Sequence, residues 1–233
     1  MPCKLDAIST NLASVQTRIA AAARNAGRDA TGVQLLAVSK KQPPAAIEAA
    51  WRAGQRAFGE NYLDEAQDKI KALAHLTPID WHFIGRVQSN KTRAIAAQFT
   101  WVHTVDRLKI ARRLAEQRPE HLPPLNICLQ VNISHEASKS GVTPDALPDL
   151  AQQVAQLPRL RLRGLMALPA LANDDAQQRQ PLRRLHDCLR DLQRAGLALD
   201  TLSMGTSHDL EAAVTEGATI IRIGTAIFGS RES

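Results

Sequence analysis

Short apolar runs alternate with longer segments of helical periodicity along almost the whole chain. The runs cover 34–39, 56–59, 80–84, 101–105, 125–133, 160–168, 199–203 and 219–223. They are rich in Leu, Ile, Val and Phe, as strands buried on both faces are. Amphipathic stretches separate them. These predict helices over 44–52, over a segment reaching Leu73 after Glu60-Asn61-Tyr62, over 90–97, from Asp106 onward, after Thr143-Pro144, over 175–195 and over 207–216. Gly54, Gly196 and Gly217 stop three of them, and Pro44 and Pro144 sit where a first helical turn accepts proline. A further helix over 5–26 precedes the first strand.

Eight strands in strict alternation with helices predict a single (β/α)8 TIM barrel carrying an additional N-terminal helix. Alternation alone also permits a doubly wound sheet. The count of eight and the lack of a glycine-rich dinucleotide fingerprint after the first strand favour the barrel. No linker, repeat or low-complexity run divides the chain, so residues 1–233 are read as one domain.

Composition narrows the function classes. Hydrophobic residues make up 44% of the 233 residues and aromatics only 3%, so the core rests on aliphatic side chains. No apolar stretch has the length of a signal-peptide core or a membrane span. Cys3, Cys128 and Cys188 are far apart and lack metal-ligand spacing, which predicts unpaired thiols in a reducing, cytoplasmic setting and no metal. The net charge is +6. The arginines around Arg112 and Arg183 are interleaved with acids on helical segments and have no stacking aromatics beside them, so they read as solvated faces rather than a nucleic-acid surface.

In a (β/α)8 barrel the chemistry sits at the C-terminal ends of the strands. Lys40 closes the first run, Leu35-Leu36-Ala37-Val38-Ser39-Lys40, where poor hydration disfavours the ammonium and makes an amine nucleophilic toward an aldehyde. Alone, the segment favours a lysine whose stem lies on the core and whose head reaches water. Asn61 follows the second strand, His82 lies on the third, and Met166 ends the sixth. Taken singly these read as a helix cap, a packed histidine and a core side chain. Small residues after strands seven and eight, including Ser207, Gly224 and Thr225, can expose backbone N–H groups to an anion. Arg222 lies between the two groups as a permanent cation, or alternatively as a partner for Glu216. Lys139 is the rival amine near the mouth. The eight strand-end groups share one barrel face, and a phosphorylated aldehyde could bridge Lys40 and the small-residue loops.

Five motifs stand in order along the chain: Leu36-Ala37-Val38-Ser39-Lys40, Phe58-Gly59-Glu60-Asn61-Tyr62, Trp81-His82-Phe83-Ile84-Gly85, Gly164-Leu165-Met166 and Arg222-Ile223-Gly224-Thr225-Ala226-Ile227-Phe228-Gly229. From about Leu5 to Arg231 the chain closely resembles the pyridoxal phosphate homeostasis protein family, whose fold is like the N-terminal domain of alanine racemase. The resemblance implies pyridoxal 5′-phosphate held as an aldimine on Lys40, with Arg222 facing the pyridine nitrogen. It implies Ser207, Gly224 and Thr225 around the phosphate, and Asn61, His82 and Met166 around the rest of the cofactor. Thr206 departs from the family pattern, which usually reads Ser-Met-Gly-Met-Ser.

The resemblance implies a role in vitamin B6 and amino-acid homeostasis, with release of the cofactor to apo-enzymes. Two-base racemisation needs a proton donor on each face of the ring. Tyr62 is the one tyrosine, and no second domain is expected after the barrel. The expectation is therefore a monomeric carrier with no catalytic residues. A pyridoxal-phosphate-dependent racemase or lyase, or a cofactor-free binding barrel, are the alternatives.

Overall fold

A computed structural model of the chain describes residues 5–134, 140–170, 172 and 174–229. Eight parallel strands close on themselves in sequence order. They are β1 (Gln34–Val38), β2 (Ala57–Glu60), β3 (Asp80–Phe83), β4 (Trp101–Val105), β5 (Leu125–Gln130), β6 (Leu160–Met166), β7 (Thr201–Ser203) and β8 (Ile220–Ile223). The seam joins β1 to β8 with Leu36 opposite Arg222, which brings two of the predicted strand-end groups onto neighbouring strands. The expected (β/α)8 barrel is the fold.

Helices fill the connections: α2 (Pro44–Arg52), α3 (Leu63–Ala72), α4 (Thr92–Gln98), α5 (Leu108–Gln117), α6 (Leu147–Ala155), α7 (Asp175–Arg194) and α8 (Leu210–Thr215). The extra N-terminal helix α1 (Asp6–Asn25) packs on α2, on α8 and on a short C-terminal helix, α9 (Thr225–Phe228). It is fastened by Asn11 Nδ2, which donates to the Ile227 carbonyl at 2.9 Å, and by Arg18 on Glu211. No helix among the described residues is long and apolar enough to cross a membrane.

Two cores result. The large one lies between barrel and helices and is aliphatic, joining Leu35 and Ala37 of β1 to Ile47 of α2, Ile110 of α5 and Leu185 of α7. The small one is inside the barrel, where Leu36, Ala57, Trp101, Cys128, Met166 and Ile220 meet. Polar groups share that interior: His82, His103, Ser203 and Arg222 are buried there.

The expected elements are found, several with shorter limits. Strand β5 ends at Gln130, and Val131 makes only an isolated bridge to Val142. Helix α8 begins at Leu210, because Asp209 accepts from the Thr206 N–H and hydroxyl and folds 206–209 into a turn. One arginine departs from the solvated reading. Arg118 is buried and donates to the carbonyls of Ala96, Phe99 and Pro123, tying the end of α5 to that of α4. Cys128 and Cys188 are unpaired, and burial pushes the Cys128 thiol up to about 12. Among the described residues no cluster of His, Cys, Asp and Glu could hold a metal.

Candidate functional site at the C-terminal barrel mouth

Strand β1 delivers Lys40 through a turn held from behind. Ser39 Oγ donates to Glu60 Oε1 at 2.6 Å, and the Ser39 carbonyl accepts from Lys69 Nζ at 2.7 Å. Lys69 Nζ also bonds Glu60 Oε1 at 2.9 Å. On the far side of Lys40, the Lys41 N–H donates to Glu65 Oε1, which Lys69 contacts as well. Lys41 itself sits at φ 59°, a left-handed conformation that a side chain adopts only when its surroundings impose it. Three charged residues, Glu60, Lys69 and Glu65, therefore fix the backbone on both sides of Lys40. Burial raises the Glu60 carboxyl above its ordinary value despite the opposing pull of Lys69.

The Lys40 side chain is half-buried and lines a cavity of about 220 Å³ at the mouth of the barrel. Asn61, Met166, Ser207, Arg222, Gly224 and Thr225 line the same cavity, as do Val38, Gln42, Ile84, Leu168, Thr206 and His208. Asn61 is placed by a close chain crossing: a Cβ on Gly85 would fall 1.9 Å from the Asn61 carbonyl oxygen, so only glycine fits there. The buried Oδ1 of Asn61 has no hydrogen-bond partner within the protein. Gly205, at φ 95°, turns the chain from β7 into the Thr206–Ser207 segment, and a Cβ there would meet Ala213 at 2.5 Å.

Arg222 forms the floor of the cavity. It is 5% exposed, and its guanidinium donates to Ser203 Oγ and to the Ala167 carbonyl, both at 2.8 Å. Glu216, the carboxylate the sequence offers as a partner, instead pairs with Arg179 and Arg183 on α7. No carboxylate among the described residues forms an ion pair with Arg222. Burial lowers its pKa to about 10, which leaves it cationic at neutral pH.

Seven of the eight predicted residues thus converge on one cavity. The eighth, His82, does not line it. It lies deeper in the barrel, stacked on Trp101 at 5.4 Å between ring centroids, with Nδ1 2.9 Å from His103 Nε2. Lys139 lies outside the described residues. Sequence reasoning passed over Gln42 and His208 on the cavity wall and His103 beneath Arg222; Thr206 and Ser203 belong to the strand-seven group it placed at the mouth, without a role for either. Strand alternation carries the signal for His103, which falls two residues after the inward Trp101.

Comparison with known proteins places the chain. Residues 4–232 match the family model for the alanine racemase N-terminal domain. The chain is 60% identical over 228 residues to the pyridoxal phosphate homeostasis protein of Pseudomonas aeruginosa, covering 98% of this chain and 97% of that one. It is 52% identical over 227 residues to the protein of the same name from Escherichia coli K12, covering 97% of each. Among solved structures it is similar to PipY of Synechococcus elongatus with pyridoxal phosphate bound, at 37% identity and a TM-score of 0.84, covering 95% of this chain and 100% of that one. An alanine racemase from Corynebacterium glutamicum shares the fold at 19% identity and a TM-score of 0.73, the match covering 97% of this chain and 62% of the racemase. The chain belongs to the pyridoxal phosphate homeostasis proteins, a group with the fold of the alanine racemase N-terminal domain.

Proposed function

We propose that the chain binds pyridoxal 5′-phosphate reversibly at the barrel mouth and serves vitamin B6 homeostasis by holding the cofactor and releasing it to apo-enzymes. One observation carries this reading: Lys40, Arg222 and the Ser207, Gly224 and Thr225 segments face a single cavity. The donor set suits the ligand. An amine, a guanidinium and two hydroxyls line the cavity, beside Asn61, whose buried Oδ1 is an unsatisfied acceptor. When bound, the cofactor supplies an aldehyde that condenses reversibly with a primary amine, on a ring that withdraws electrons.

Lys40 offers the amine from a backbone that cannot shift. Ser207 and Thr225 offer hydroxyl donors, with the N-terminal turn of α9 behind Thr225. Arg222 presents a charged donor that resists giving up or accepting a proton, so a pyridine nitrogen set against it stays unprotonated and the ring stays a weak electron sink. That favours carriage over amino-acid turnover. The reading includes a monomer acting in the cytoplasm.

The purified chain should absorb in the visible range when loaded, and borohydride should fix a pyridoxyl label on Lys40. Mixing the loaded chain with a pyridoxal-phosphate-dependent apo-enzyme should restore that enzyme's activity. A label mainly on Lys139 would remove Lys40 from its role. Robust turnover of a common amino acid, lost in Lys40→Ala, would replace the carrier with an enzyme.

A further inference from the structure

Beneath the cavity, Arg222 begins a line of buried polar groups that crosses the barrel. Arg222 Nη1 donates to Ser203 Oγ at 2.8 Å, and Ser203 Oγ lies 2.7 Å from His103 Nδ1. His103 Nε2 lies 2.9 Å from His82 Nδ1, and His82 Nε2 lies 3.3 Å from Asp80 Oδ2 at the opposite end of the barrel. His82, His103 and Ser203 have no exposed surface. Five residues from four strands, β3, β4, β7 and β8, have no reason in simple core packing to line up in this way.

With both histidines neutral, the donor roles along the line follow. The Asp80 carboxylate only accepts, so His82 Nε2 carries a proton. With His82 neutral, its Nδ1 accepts, so His103 Nε2–H donates. His103 Nδ1 then accepts from the Ser203 hydroxyl, whose lone pair receives Arg222. Every bond points from the cation toward the carboxylate. The reverse arrangement, with His103 Nδ1–H aimed at Ser203, leaves the Ser203 hydroxyl proton without an acceptor among the described residues, at full cost in a dry interior. Asp80 is suited to the far end: burial raises its carboxyl, but the bonds from His82 and Thr100 outweigh it and hold the group below its ordinary value.

We propose that Ser203, His103, His82 and Asp80 form a one-directional donor chain that locks the orientation of the Arg222 guanidinium in the cavity wall, and that these four are positioning residues for its contact with the ring nitrogen of a bound pyridine aldehyde. The ligand half of this proposal rests on the function proposed above; the locking half concerns the protein by itself.

Both halves have a readout. In the apo chain, histidine nitrogen spectra should show His82 and His103 as Nε2–H tautomers, and Arg222 should give separate Nη signals from an arrested guanidinium. In Ser203→Ala those signals should merge, and in Ser203→Thr, which restores the hydroxyl, they should separate again. His103→Asn serves as a second break that keeps an acceptor for Ser203 but loses the link to His82, and it should give intermediate averaging. A His103 Nδ1–H tautomer, or Nη signals equally resolved in Ser203→Ala, overturns the lock. Titration with pyridoxal phosphate and with its deaza analogue, in which a ring C–H replaces the nitrogen and accepts no hydrogen bond, tests the contact. The wild-type chain should prefer the pyridine aldehyde by roughly tenfold, the worth of one hydrogen bond, and Ser203→Ala should lose most of that preference. Preference unchanged by Ser203→Ala overturns the positioning role. Failure of the wild-type chain to bind either aldehyde defeats the proposed function instead, and the tautomers and Nη signals still decide the lock.

Discussion

The two cations on the cavity wall are held in opposite ways. Lys40 has a fixed backbone and a half-buried side chain: Glu60, Lys69 and Glu65 grip the residues on either side of it, and its side chain lines the cavity at the mouth. Arg222 has its charged end gripped, by Ser203 and the Ala167 carbonyl, inside the barrel. The lysine turn is anchored by buried ions, the arginine by a chain of groups drawn as neutral between it and Asp80. An amine that must form and break a bond needs reach. A guanidinium that only orients a ring needs a fixed plane.

The contrast predicts the largest effect at the lysine. Lys40→Ala should abolish borohydride-fixed label completely, while leaving the fold intact, since the anchoring contacts belong to its neighbours. The check is peptide mapping beside a thermal melt. Residual labelling elsewhere on the cavity wall at wild-type level would break the contrast, because any amine near the mouth would then do.

The anchor itself comes next. Lys69 is 4% exposed and Glu60 fully buried. Lys69→Met strands the Glu60 charge, and breaking one side of a buried pair costs about 3–5 kcal/mol. Denaturant unfolding should register that loss. Combining it with Glu60→Gln should return much of it, since the pair rather than either residue is what the interior tolerates. If Lys69→Met costs no more than a surface substitution, the buried-ion anchor is not what fixes the turn.

A smaller effect is expected where the two cations meet the small-residue loops. Pyridoxal, which lacks the phosphate, should bind more weakly than pyridoxal phosphate by about 1.5–3 kcal/mol for each charge-assisted hydrogen bond it forfeits. Ser207→Ala and Thr225→Val should narrow that gap. Equal titration curves for the two aldehydes would mean that Lys40 and Arg222 alone define the site.

Much of this was legible in the sequence, for a physical reason. Parallel barrel strands are buried on both faces, so they announce themselves as apolar runs, and the strand ends follow from where those runs stop. Lys40, Asn61, Ser207 and Thr225 could be placed from that alone. What could not be placed was anything set by cross-barrel contact. His82 reads as a strand-end group near a ligand, yet its ring nitrogens are committed to His103 and Asp80. Arg222 lines the cavity as read, but only the fold excludes its alternative partner Glu216, which α7 claims first. The grip of Lys69 on Ser39 spans 30 residues of sequence and has no local signature.

The smallest expected effect isolates the arginine side of the contrast. Burial first, then the nearby His82 and Arg222, hold His103 well below the ordinary histidine value of 6.5. In the unfolded chain His103 takes up a proton near that value, while in the folded chain it does not until the pH is far lower. Between the two, the unfolded state binds the additional proton, so the contribution of His103 to stability is complete above about pH 6.5 and is lost as the pH falls below it, by up to about 1.4 kcal/mol per pH unit. Glu60 gives no such slope in this direction: its carboxyl is raised on folding, so its contribution declines as pH rises through the folded value. Urea unfolding of the wild-type chain and of His103→Asn between pH 7.5 and pH 5 separates them. The variant should start less stable and lose less on acidification, so that the two curves converge. Parallel curves would mean that His103 takes up its proton without cost, and that the groups behind Arg222 are not the closed neutral chain that the lysine side lacks.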